Sequence, residues 1–195
     1  MKTIAFAIAL MLATVFGATA QTNWNFDKTH TNIKFNVTHL VISEVDGFFK
    51  TFDGKVSTKG DSFENAQVEF TIDVASIWTD NEKRDEHLRS DDFFNAEKYP
   101  KITFKSTSMK KTGKNTYKMV GDLTMRDKTR KVELTVRHNG TTKDPWGNTK
   151  AGFKITGKLN RFDYDLKWNT ITEAGGAVVG KEVRLDMNVQ LAKQS

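Results

Sequence analysis

VRLDMNVQL, running from Val183 to Leu191, is the stretch that decides the fold. Val183, Leu185, Met187, Val189 and Leu191 alternate with Arg184, Asp186, Asn188 and Gln190. Successive side chains of a β-strand point to opposite faces, so this segment carries one oily face and one wet face. A helix, with its period of 3.6, would scatter the same five residues around its circumference. The pattern recurs upstream. Ile33, Phe35, Val37 and His39 share one face, as do Val68, Phe70, Ile72 and Val74. Ile102 and Phe104 begin another strand. Tyr117, Met119, Leu123 and Met125 form the next, with Gly121 in the same register. Val132, Leu134 and Val136 follow, then Phe153, Ile155 and Leu159 with Gly157 among them. Val45 to Val56 reads as a further strand, although Phe48, Phe49 and Phe52 do not share one face.

This gives about eight strands, enough to close a barrel. Turn signals separate them at Lys59-Gly60-Asp61, Lys111 to Asn115, Asn139-Gly140 and Asp144 to Asn148. The short spacing favours antiparallel meander connections over βαβ crossovers. Period-2 patterning fits a sandwich or a barrel equally.

One segment breaks the pattern. NEKRDEHLRSDDFFNAEKYP, Asn81 to Pro100, is rich in helix formers and crowded with charge. Thr79-Asp80-Asn81-Glu82 reads as a capping box with Thr79 as the N-cap. Ser90-Asp91-Asp92 can start a second short turn carrying Phe93 and Phe94, and Tyr99-Pro100 forces extended backbone. A short helical segment over about residues 80–98 therefore connects two strands.

The chain opens with MKTIAFAIALMLATVFGATAQ. A basic Lys2, an apolar run from Ile4 to Phe16 and an Ala18-Thr19-Ala20 site predict a cleaved signal peptide over residues 1–20 and a single β-barrel domain over 21–195. No later apolar run is long enough to span a bilayer as a helix. The chain has no Cys, which excludes disulfides and thiolate metal sites and leaves a continuous core to hold the fold. The net charge is +6 with lysines dispersed along the strands, a solvated outer face rather than a nucleic-acid surface.

Catalytic signals are sparse. His30, His39, His87 and His138 have no metal-ligand spacing, and no nucleophile elbow or phosphate loop is present. Asp85, His87 and Asp91 are the one cluster on which an enzyme could be built, but neighbours on a helix point apart. His39 continues an apolar stripe and could hydrogen-bond a ligand head group. The fourteen Phe fit either a filled core or a hollow barrel, and inward glycines such as Gly121 and Gly157 leave room or allow bending.

Several stretches together resemble the YceI-like family of exported bacterial proteins. They are Trp24 to Thr31, Phe35 to Leu40, Val45 to Phe49, Asn81 to Phe94 with Tyr99-Pro100, Gly121 to Met125, and Phe162 to Trp168. The resemblance implies an all-β, eight-stranded antiparallel, lipocalin-like barrel enclosing a long apolar ligand: an isoprenoid lipid of the polyprenyl phosphate or quinone type, or a fatty amide. It implies a periplasmic or secreted location, no catalysis and no cofactor other than the bound lipid. Members are commonly dimeric. On this reading Phe35, Val37, Phe70, Ile72, Phe104, Met119, Leu134, Phe153, Ile155, Leu185 and Met187 line the interior, and His39 and Arg84 are head-group candidates. A hydrolase using Asp85, His87 and Asp91 and a solid-cored stress or interaction protein are the alternatives.

Overall fold

The structure, a computed structural model, describes residues 21–173 and 175–194. The expected signal peptide lies outside the described residues. The strands are β1 (Gln21–Phe26), β2 (Asn32–His39), β3 (Ser43–Phe49), β4 (Phe52–Lys59), β5 (Ser62–Asp73), β6 (Ile77–Trp78), β7 (Lys101–Lys111), β8 (Thr116–Met125), β9 (Lys128–Lys143), β10 (Thr149–Asn160) and β11 (Val179–Lys193). Among the described residues one α-helix, α1 (Glu82–Arg89), joins β6 to β7.

These segments make eight strands, because the first three are bent. β1 and β2 lie end to end along β11, with Trp24 opposite Lys193 and Phe35 opposite Leu185. β4 and β3 flank them in turn, and β5 and β6 flank those. Each later strand then pairs antiparallel with the next, and the β1–β11 pairing closes the ring. The result is a closed eight-stranded antiparallel meander, so the barrel rather than the sandwich is the fold.

Side-chain hydrogen bonds hold the bends. At the β1–β2 break, Asp27 accepts from the backbone N–H of Thr29, from Lys150 Nζ at 2.9 Å and from Gln190 Nε2 at 3.0 Å. The β3–β4 and β5–β6 bends meet at Ser76. Its hydroxyl accepts from Thr51 N–H at 3.0 Å and donates to the Asp73 carbonyl at 2.6 Å. The bend at Lys50-Thr51 explains the three phenylalanines. Phe49 and Phe52 are buried on either side of it, while Phe48 faces Trp78 on the outside.

Three expectations need correction. Val74 does not extend its strand. β5 ends at Asp73, whose carboxylate caps a 3-10 turn over Val74–Ser76. Asn139-Gly140 is not a turn, because β9 runs through it to Lys143 and absorbs it as a bulge against Gly152 and Phe153. The N-cap of α1 is Asn81, whose side chain accepts from Arg84 N–H at 3.0 Å, and not Thr79.

Candidate functional site: the barrel interior

One end of the barrel is plugged by aromatic rings. Trp24 packs on Phe63 at 5.2 Å between ring centroids, Phe63 on Phe153 at 4.8 Å, and His138 stacks on Phe153 at 4.9 Å. Trp24 is 2% exposed and donates its indole N–H to Thr58 Oγ1 at 3.2 Å. Burial lowers the pKa of His138, which favours the neutral ring within this plug.

The other end is roofed by α1 and two loops. Asp85, 6% exposed, accepts from the Thr79 N–H at 2.9 Å and the Thr79 hydroxyl at 2.6 Å. Phe94 packs edge-on against Phe49 beneath the helix. The loop after β10 is stapled by Arg161, which is 2% exposed and donates to the carbonyls of Leu166, Trp168, Val179 and Gly180. Tyr164 is buried beside it, and that burial pushes its phenol up to about 12, so it stays protonated at any ordinary pH.

Between these ends lies an apolar cavity of about 110 Å³. A smaller chamber of about 40 Å³ adjoins it toward the plug. Phe35, Phe70, Ile72, Phe104, Met119, Leu134, Ile155, Leu185 and Met187 line the main cavity. Phe153 lies instead at the plug and lines the smaller chamber. Val37 is half-buried near the β2–β3 hairpin, beyond the cavity lining. Every residue around the main cavity is apolar except Lys34, which pairs with Asp46 at 2.8 Å.

The two glycines read from sequence meet close neighbours. A Cβ on Gly121 would stand under 3.0 Å from the Phe104 ring, and one on Gly157 would stand 2.5 Å from Leu134 Cδ2. Large side chains thus fold down over bare backbone at the wall. Phe26, Val68, Leu123, Met125, Val132 and Leu159 also line the cavity, beyond the lining expected from sequence. All but Phe26 fall in the period-2 registers already read. Phe26 belongs to β1, whose six residues alternate too briefly to be recognised.

Neither head-group candidate faces this space. Arg84 donates through Nε to Thr79 Oγ1 at 2.7 Å and through Nη2 to the Thr79 carbonyl at 2.6 Å. His39 stands at the base of the β2–β3 hairpin, opposite Ser43 and Val179. The acid–base cluster also disperses. Asp85 turns to Thr79, Asp91 pairs with Arg126 at 2.9 Å, and His87 meets Asp92 at 2.8 Å. Among the described residues, no three His, Asp or Glu side chains converge as a metal site would require. None of their helices is long and apolar enough to cross a membrane.

The sequence model of the YceI-like domain matches residues 24–191. The chain belongs to the YceI-like family. A UPF0312 protein of Staphylococcus aureus (strain N315) is 36% identical over 172 residues, covering 88% of this chain and 98% of that one. The crystal structure of the Campylobacter jejuni YceI protein is 33% identical with a TM-score of 0.71, covering 87% of this chain and 96% of that one. A polyisoprenoid binding domain from Saccharophagus degradans, at 15% identity and a TM-score of 0.62, shares the YceI-like barrel over 88% of this chain and 98% of its own. The YceI-like assignment and the closed barrel agree, since the matched segment begins in β1 and ends in β11, the two strands that seal the ring.

Proposed function

We propose that this protein is an exported carrier that holds a long-chain isoprenoid lipid, of the polyprenyl phosphate or quinone type, inside its barrel. The observation that carries the proposal is the apolar cavity, whose lining offers the Lys34 segment as its one polar contribution. A polar metabolite entering such a space would lose its hydration without replacement hydrogen bonds. A hydrocarbon tail gains about 0.8 kcal/mol per buried CH₂, on the order of 16 kcal/mol for twenty carbons. Ordering the tail offsets several kcal/mol of that. The free space is narrow, and Met119, Met125 and Met187 in its lining are unbranched and adaptable, so the wall can yield to a slim chain. The polyisoprenoid binding domain of Saccharophagus degradans, which has the same barrel, supports the same ligand class. Export follows from the Lys2, Ile4–Phe16 and Ala18-Thr19-Ala20 pattern.

The test is organic extraction of purified protein followed by mass spectrometry, together with uptake of an offered isoprenoid. A co-purified or acquired isoprenoid is the expected result. Protein that yields no lipid and takes up none overturns the reading.

A further inference from the structure

Both ends of the barrel are closed, one by the Trp24–Phe63–Phe153 plug and the other by the helix and the Arg161-stapled loop. Beyond Leu134–Gly157 the β9–β10 ladder stops, and the turn over Arg161–Tyr164 packs against β9 there; the wall also parts between β5 and β7, toward the plugged end. β5 and β7 pair through their backbones only where Glu69–Asp73 oppose Lys101–Lys105. From Glu69 toward the plugged end the ladder stops. Asn65, at φ 60, throws β5 out of regular extension, and an irregularity between Ser106 and Ser108 does the same to β7. Among the described residues a single hydrogen bond crosses there, from the Val68 N–H to Ser106 Oγ at 2.8 Å. By contrast, β8 and β9 stay paired from Thr116 to Met125, the whole length of β8.

Behind this seam, Ala66 and Val68 line the inner chamber next to the plug. In front of it, the same two residues border an outer groove that also presents Asn23, Gln67, Ser106 and Ser108. The wall between inside and outside is therefore one residue thick and lacks a backbone ladder. The nearby cations are spoken for, since Lys55 and Lys105 both pair with Glu69, at 2.9 and 3.0 Å. The groove thus offers amides and hydroxyls to a hydrogen-bonding head.

We propose that the β5–β7 seam is the portal of the barrel: the tail passes between Val68 and Ser106 while the polar head rests in the outer groove. Opening it requires breaking one side-chain hydrogen bond rather than a run of backbone bonds. The proposal rests on the carrier reading above.

The chain has no Cys, so a single introduced thiol can be labelled uniquely. Gln67→Cys places it in the exposed groove, and Val41→Cys places it on the hairpin at the opposite end, where Val41 is 67% exposed. Each variant is loaded with retinol, a fluorescent isoprenoid alcohol, and then capped with a bulky polymeric maleimide. Transfer of retinol to phospholipid vesicles is followed with time. Capping Gln67→Cys is expected to slow transfer by about tenfold or more, expressed in the off-rate, while capping Val41→Cys leaves the rate at that of uncapped protein. Loading with no slowing at Gln67→Cys, or with slowing at Val41→Cys instead, overturns the portal alone. Failure of the uncapped wild-type protein to load retinol overturns both the portal and the carrier reading.

Discussion

Gly121 and Gly157 set the free space inside the barrel by giving up their side chains. Phe104 lies over one and Leu134 over the other, closer than any side chain approaches a real Cβ. Gly121→Ala must push the Phe104 ring toward the axis, because the alternative neighbour, the Lys105 carbonyl, is backbone. Overpacking of this kind costs about 1–3 kcal/mol. Gly121→Ala and Gly157→Ala are each expected to lower both the melting temperature and the retinol capacity, read by thermal unfolding and fluorescence titration. Two titrating residues, one at the plug and one at the β1–β2 bend, contribute to the acid response. Burial lowers the His138 pKa below its usual 6.5, so the unfolded chain takes up that proton first. Its contribution to stability is complete above pH 6.5 and is lost as the pH falls below that. Burial works against the Asp27 carboxylate, but hydrogen bonds from Lys150, His30 and Gln190 prevail and hold its pKa well below 3.8. Its contribution is complete above pH 3.8 and drains away in stronger acid. Melting curves across acidic pH are expected to show both declines. His138→Phe removes the upper one and Asp27→Asn reduces the lower, to which Asp46, Glu69 and Asp144, each held below its usual value by hydrogen bonds, also contribute.

Helix α1 is the element most easily mistaken for an active site, and its geometry is that of a clasp. Asp85 ties the helix to Thr79 from below while Asn81 caps it from above. Asp85→Ala strands the Thr79 N–H and hydroxyl in a buried setting and is expected to cost about 1–3 kcal/mol. Asn81→Ala is expected to cost about 1 kcal/mol. His87→Ala should leave retinol uptake unchanged, and its failure to do so would transfer the function to the helix. Much of this level is legible in the sequence. The strands from β7 to β11 follow from alternation, because long strands with one wet face repeat the signal enough times to be heard. The bent strands are harder. A bend shifts the register, so Phe48, Phe49 and Phe52 read as contradictory unless the turn of the chain at Lys50-Thr51 is known. Turns that lack glycine escape for a different reason. Leu40-Val41 and Arg126-Asp127 occupy left-handed backbone, at φ between 48 and 67, without the residues that usually announce it. The cavity is legible as a set of inward faces, but its limits are not, because the plug depends on which rings meet across the barrel. His138 and Phe63 carry no local sign that they meet Phe153 there.

At the scale of the whole molecule, closure is the source of stability and of the binding space together. Trp24→Ala would open the plugged end and leave Thr58 without its indole partner. A large-to-small change of this kind costs about 3–5 kcal/mol, a large share of a typical domain's roughly 5–15 kcal/mol, so the variant is expected to melt far below the wild type. Retinol should act in the other direction, adding about 2.7 kcal/mol at a hundredfold excess over Kd, read as a concentration-dependent rise in melting temperature. The pairing of β1 with β11 joins strands separated by almost the entire sequence. A ribosome delivers Lys193, the partner of Trp24, long after Trp24 itself, so the staves cannot be hooped until β11 has been made. Until then the growing polypeptide has staves but no vessel, and β11 acts as the latch that commits it to shape.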